Sequence, residues 1–78
     1  PQDVVGRIET AREIAKTVAR LPDIYKTVFL LRETELMSYS EIAGVLGIAE
    51  GTVKSRLSMA RRILRETLGE EVKAARFA

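Results

Sequence analysis

The sequence predicts an all-α fold, a small bundle of four helices, and three observations carry that prediction. Apolar residues recur at spacings of three and four along most of the chain. No stretch sustains the alternation of period two that a half-buried strand requires. Proline and glycine fall where one helix would end and the next begin, at Pro22, Gly47 and Gly69.

The first element carries Val4, Ile8, Ala11, Ala15 and Val18 as an apolar stripe, flanked by Ile14 and Leu21. This is the pattern of an amphipathic helix. Leu21-Pro22 ends it, because the residue before a proline avoids the α region. Its opening turn starts on Pro1 rather than Met and mixes charges, so it reads as a linker remnant of a longer protein. Pro22 suits the first turn of a second helix, where its missing N–H costs nothing. Ile24, Val28 and Leu31 share one face of that helix, and Phe29 and Leu30 widen it. The second helix is therefore expected to run to about Glu33 and to be buried on much of its circumference.

Thr34 to Met37 is a connector. Ser38-Tyr39-Ser40-Glu41 fits a capping box, in which the Ser38 hydroxyl accepts from the Glu41 N–H and the Glu41 carboxylate reaches back. The third helix turns Ile42, Ala43 and Leu46 inward. Gly47 ends it in the left-handed conformation, and Ile48 plugs the turn. The fourth helix starts near Glu50 with Val53, Leu57, Ala60 and Leu64 as its inward stripe and Ile63 beside it. Gly69 reads as its C-cap, and Glu70 to Ala78 as either another turn of helix or a frayed tail. The expected organisation is a first helix with linker remnant over 1–20, a core over 21–69 and a C-terminal tail over 70–78.

Composition removes several classes of function. With 78 residues the chain holds one domain and one modest core. At 46% apolar and 31% charged it is neither disordered nor a membrane span, and no membrane insertion or signal peptide is expected. It has no cysteine and no histidine. Disulfides, thiolate chemistry, the usual zinc sites and histidine acid–base catalysis are thereby excluded, and no metal or cofactor is expected. A reducing compartment is compatible with this composition. Glu33 with Glu35, and Glu70 with Glu71, are neighbouring carboxylates in charged settings and read as solvated. No catalytic role is expected.

Net charge is only +2, but its distribution is uneven. Residues 1–40 hold six basic and six acidic side chains. Residues 50–65 hold Lys54, Arg56, Arg61, Arg62 and Arg65 against Glu50 alone. A basic surplus confined to one segment suits an element that approaches phosphate, or equally a solvated helix face with basic residues towards its C-terminus.

Tyr39 to Met59 meets the demands of a helix-turn-helix, without a wing. Ala43 is the small residue where the two helices touch. Gly47 supplies the turn, Ile48 the apolar plug, and Val53 the branched residue one turn into the second helix. An ordinary helical hairpin has the same packing needs, so the outer face decides. Opposite Val53, Leu57 and Ala60 lie Lys54, Ser55, Ser58, Met59 and Arg62. Lys54 and Arg62 can reach guanine acceptors or phosphates. Ser55 and Ser58 let a helix sink into the major groove and can bond to bases. Gly51 and Thr52 sit at the helix N-terminus, where free N–H groups favour a phosphate. Gly51 allows either a close backbone approach to DNA or merely an easier turn.

These residues resemble region 4 of bacterial sigma factors, especially the extracytoplasmic-function (ECF) group. Leu21-Pro22 with Val28-Phe29-Leu30-Leu31-Arg32 is similar to the family's LP…VFLLR. Ser38 to Ala43 matches SYxEIA. Leu46-Gly47-Ile48, Gly51 to Leu57 and Ala60-Arg61 match LGI, GTVKSRL and AR in order and spacing. GTVK alone also occurs in response-regulator output domains. That related reading would bring dimerisation through the last helix, where the sigma reading expects a monomer in isolation.

The resemblance implies a cytoplasmic protein at the bacterial nucleoid, whose domain recognises the promoter minus-35 element and docks on the β-subunit flap of core RNA polymerase. It implies base reading from Lys54, Ser55, Ser58 and Met59, to which the outward position of Arg62 adds a fifth residue. Phosphate contacts are expected at Ser38, Tyr39, Gly51, Thr52, Arg56 and Arg61, with Arg62 near enough to share them. An anti-sigma factor is a further implied partner, and the domain could serve mainly to bind it. Leu30, Leu36 and Met37 are the candidate protein contacts. Two departures stand out. The family commonly has arginine where this chain has Met59, and glycine-leucine where it has Leu36-Met37. Without a basic group, position 59 loses a bidentate guanine contact, although a methionine can still touch a thymine methyl. Leu36 and Met37 read either as core or as an exposed apolar patch.

Overall fold

Four α-helices follow one another in this computed structural model: α1 (Gln2–Arg20), α2 (Asp23–Glu33), α3 (Tyr39–Leu46) and α4 (Glu50–Phe77). The structure describes the backbone of residues 2–77 and the side chains of residues 11–69, and no strand occurs among them. The all-α class, the four helices and the helix-turn-helix expected from the sequence are all present. Among the described residues, no helix is long and apolar enough to cross a membrane.

Helix α4 is the spine, and each of the other three packs against it. Its inward stripe serves two clusters. Val53 and Leu57 join Val28 of α2 and Ile42 of α3 in the lower cluster, and all four are essentially inaccessible to solvent. Ala60 and Leu64 join Val18 and Leu21 from the end of α1. The start of α4 thus closes the helix-turn-helix, and Ala60 and Leu64 further along hold α1. Burying side chains of this size contributes about 1.5–3 kcal/mol each.

The α3 boundaries follow the sequence closely. The Ser38 Oγ accepts from the Glu41 N–H, and the Ser38 N–H donates to Glu41 Oε1, each at 3.0 Å. Gly47 closes the helix at φ 66°, in the left-handed region. The Ile48 N–H then donates to the Ala43 carbonyl at 3.1 Å, which seats Ile48 against the lower cluster.

Several expectations are corrected. On α1, the buried residues are Thr17, Val18 and Leu21, whereas Ala11, Ala15 and Ile14 stay exposed. An apolar count overlooks Thr17, which is buried because its hydroxyl donates to the Glu13 carbonyl at 2.8 Å within the same helix. The side chains of Val4 and Ile8 lie outside the described residues. Pro22 stands just before α2 as its N-cap, with ψ 145°, rather than in its first turn. Helix α2 is buried more narrowly than expected. Val28 is its one fully buried residue, while Ile24 and Leu30 are 50% and 40% exposed, because α3 and α4 cover only one side. Gly69 does not end α4, which continues through Phe77. A glycine inside a helix costs about 1 kcal/mol but does not by itself stop one.

Leu36 and Met37 part ways. Met37 is half-buried against the lower cluster. Leu36 is 78% exposed and takes φ 57°, the only non-glycine residue with positive φ among those described. That conformation lets the chain turn so that the Met37 N–H donates back to the Leu31 carbonyl at 3.1 Å. Here the sequence carries leucine where glycine would be unstrained.

Candidate nucleic-acid interface

The turn at Gly47 and the contact of Val53 with Ile42 present α4 with one long side to solvent. Val53, Leu57, Ala60 and Leu64 fill the inner side. With 3.6 residues per turn, Lys54, Ser55, Ser58, Met59 and Arg62 fall within an arc of about 140° on the opposite side. All five are exposed, Met59 at 37%. Gly51 lies at the head of the same side and is also exposed.

The start of α4 carries no side-chain cap. Ala49 precedes it, and its carbonyl accepts from the Thr52 and Val53 N–H groups at 3.0 and 3.1 Å. Gly51 has ordinary helical geometry, and a Cβ built on it would meet nothing within 4 Å. The chain's own packing therefore gives no reason for glycine at this position.

Around Tyr39 the structure gathers groups that the sequence scatters. The Arg32 guanidinium lies 5.2 Å above the Tyr39 ring, and the Lys54 ammonium lies 5.9 Å from the same ring. Both distances allow a cation–π attraction. Arg32 also donates to the Met37 carbonyl at 2.9 Å, which fixes the connector against α3. The aromatic ring thus sits among cations from α2 and α4 at the mouth of the helix-turn-helix. Ser38 adjoins it. The Ser38 oxygen accepts from the Glu41 N–H, and its hydroxyl also acts on the Glu41 carboxyl.

Two of the arginines are engaged within the chain. Arg61 Nη2 lies 3.2 Å from Glu33 Oε1 at the end of α2. The Glu33 carboxylate and, secondarily, the Tyr39 hydroxyl push the Arg61 guanidinium further towards its charged form. Arg62 Nε donates to Glu66 Oε1 at 3.1 Å, one turn on along α4. Arg56 is half-buried on the flank and lines a cleft with Asp23, Ile24 and Leu46, apart from the outward side. Ser55 Oγ donates to the Thr52 carbonyl at 3.2 Å.

Sequence reasoning missed Arg32, Glu33 and Glu66. Glu66 was legible, since it stands four residues after Arg62. Arg32 meets Tyr39 across the connector, and Glu33 meets Arg61 from helix to helix, and no periodicity marks either meeting.

The candidate protein contacts do not share one surface: Leu36 and Met37 adjoin Ser38 in the connector, whereas Leu30 lies on α2. Leu30 helps to line an apolar groove of about 470 Å³ between α1 and α2, with Ile14, Ala15 and Phe29. Lys26 stands at its edge and donates to the Ala19 carbonyl at the end of α1, at 3.2 Å.

Residues 11–64 match the family described as Sigma-70, region 4. The chain is 38% identical over 68 residues to the ECF RNA polymerase sigma factor SigW of Bacillus subtilis, covering 87% of this chain and 36% of SigW. It is 36% identical over 64 residues to the ECF RNA polymerase sigma-E factor of Haemophilus influenzae, covering 82% and 34%. It is 36% identical over 67 residues to the ECF RNA polymerase sigma factor SigM of Mycobacterium tuberculosis, covering 86% and 34%. The chain thus spans about a third of the length of these relatives.

Proposed function

We propose that this chain, which belongs to the sigma-70 region 4 family, reads the minus-35 element of promoters as the C-terminal DNA-binding part of an ECF sigma factor. It acts in transcription initiation, in the cytoplasm at the nucleoid, and performs no catalysis. The single observation that carries this reading is the outward side of α4. Cations stand at Lys54 and Arg62 and short hydroxyls at Ser55 and Ser58, with Met59 beside them, on a helix that suits a groove about 12 Å wide.

In this reading α4 lies in the major groove, with Lys54, Ser55, Ser58, Met59 and Arg62 towards base edges. Ser38 and Tyr39 at the head of α3, and Gly51 and Thr52 at the head of α4, face the phosphates. Arg56 and Arg61 flank them. The helix N-termini add fixed positive dipole ends on the same side. Arg32 joins this set through Tyr39.

The test is an NMR titration of the labelled domain with duplex DNA at low salt, one duplex carrying a minus-35-type element and the other its scrambled sequence. The expected result is shifts concentrated on Ser38 to Glu41 and Gly51 to Arg62, larger for the first duplex. Lys54→Ala should change sequence preference, while Arg56→Ala weakens all duplexes and flattens the salt slope. A domain whose α3 and α4 signals ignore both duplexes does not read DNA.

A second reading has its own observation. Leu30 on the α1–α2 groove and the exposed Leu36 are apolar surfaces on a domain this small. They support docking to a protein, either the β flap of core RNA polymerase or an anti-sigma factor, with Met37 half-buried next to Leu36. Charged substitutions at Leu30 and Leu36 should abolish capture of core polymerase without altering the DNA titration.

A further inference from the structure

We propose that Met59 makes this domain select a thymine, through its 5-methyl group, at the base pair faced by the centre of the outward side that runs from Lys54 to Arg62. The inference rests on the DNA reading proposed above and specifies what that side of α4 recognises.

The cations of the recognition side stand towards its two ends, Lys54 at one and Arg62 with Arg65 at the other, and Lys54 and Arg62 are drawn aside. The Lys54 ammonium sits 5.9 Å from the Tyr39 ring, towards α3. Arg62 is bonded to Glu66 at 3.1 Å, one turn further along α4. Ser55 turns its hydroxyl proton to the Thr52 carbonyl. Between these ends lie Ser58 and Met59, adjacent on the helix and both exposed.

Met59 is the one large apolar side chain on this side of α4, 37% accessible and with no polar hydrogen. Guanine presents only acceptors in the major groove, and methionine has no donor for either of them. Thymine presents a methyl group there, and an unbranched, polarizable thioether fits against it with little loss of shape. Facing guanine, Met59 would cover an acceptor without bonding to it. Facing thymine, it removes two apolar groups from water together. The neutral pair Ser58 and Met59 therefore discriminates by methyl contact where a basic side chain would discriminate by hydrogen bonds.

The test labels the methionine methyl carbons and titrates the domain with the minus-35-type duplex. In a series of further duplexes, each thymine in turn is replaced by deoxyuridine, which removes the 5-methyl group and leaves the pairing edge unchanged. Met37, half-buried in the lower cluster, is the internal control. One replacement should cut affinity about fourfold, the size of losing one buried methylene-sized group. The same replacement should shrink the Met59 methyl shift and leave Met37 unmoved. Met59→Leu should keep the sensitivity to deoxyuridine, Met59→Ala should remove it, and Met59→Arg should transfer preference to guanine at that pair. If every deoxyuridine duplex binds like its parent while the Lys54 and Ser58 amides still respond, the methyl contact is wrong and the DNA reading stands. If neither α3 nor α4 responds to any duplex, both fail together.

Discussion

Arg61 and Glu33 join the fourth helix to the end of the second, with Nη2 and Oε1 3.2 Å apart and both side chains nearly half exposed. An ion pair this accessible is screened by solvent and contributes at most about 1 kcal/mol. Its larger consequence concerns DNA, since it holds a candidate phosphate contact within the protein. Glu33→Gln is expected to free Arg61, tighten duplex binding at low salt and steepen the slope of log affinity against log salt by about one. Fluorescence anisotropy across a salt series checks this. An unchanged slope would make Arg61 a structural tie alone.

Gly51 separates stability from binding. It is helical and exposed, and nothing crowds the space where a Cβ would stand. Gly51→Ala should therefore stabilise the domain by up to about 1 kcal/mol. The same methyl group would stand between the backbone and an approaching phosphate, so duplex affinity should fall. Urea denaturation and anisotropy on one sample decide the point. A variant that is more stable and binds as tightly would show that the backbone at Gly51 does not approach DNA closely.

Leu36 holds a left-handed backbone conformation at φ 57° with 78% of its surface exposed. Replacing it by glycine loses little burial and removes a backbone penalty of about 1–2 kcal/mol, offset in part by the greater freedom of unfolded glycine. Leu36→Gly should raise the urea midpoint at constant m-value, by the equivalent of roughly 0.5–1 kcal/mol. If Leu36 also anchors a protein partner, the same variant should bind core polymerase more weakly.

Glu41 links the helix-turn-helix to pH. The Ser38 N–H, and then the Ser38 hydroxyl, hold the Glu41 carboxyl below its ordinary value. A carboxyl depressed in the folded state stabilises above its unfolded pKa of about 4.3, and that contribution disappears as pH falls through the folded value. Wild type should therefore lose its advantage over Glu41→Gln as pH falls from about 5 through the depressed folded value. Thermal melts of the two proteins, compared at each pH, cancel the titration of the other carboxylates. Parallel curves through that range would remove Glu41 from the acid response.

Much of the site was legible in the sequence because it depends on neighbours along one helix. The Ser38–Glu41 box, the glycine at the αL position 47 and the opposition of Lys54 and Ser58 to Val53 and Leu57 are all local or periodic relations. A helix of 3.6 residues per turn fixes them once it forms. The same logic failed on α1, where Thr17 satisfies its hydroxyl on its own backbone and takes a buried place that an apolar pattern assigns to alanine.

By itself, then, the sequence determined the helices, the turn at Gly47 and which residues of α4 face away from the core. The tertiary structure alone decided which charges remain available on that face. Whether Arg61 meets Glu33, or the Tyr39 ring draws in Arg32 and Lys54, depends on how α2, α3 and α4 lie against one another. Charge interactions act through space between groups far apart in the chain, whereas helix phase acts along it.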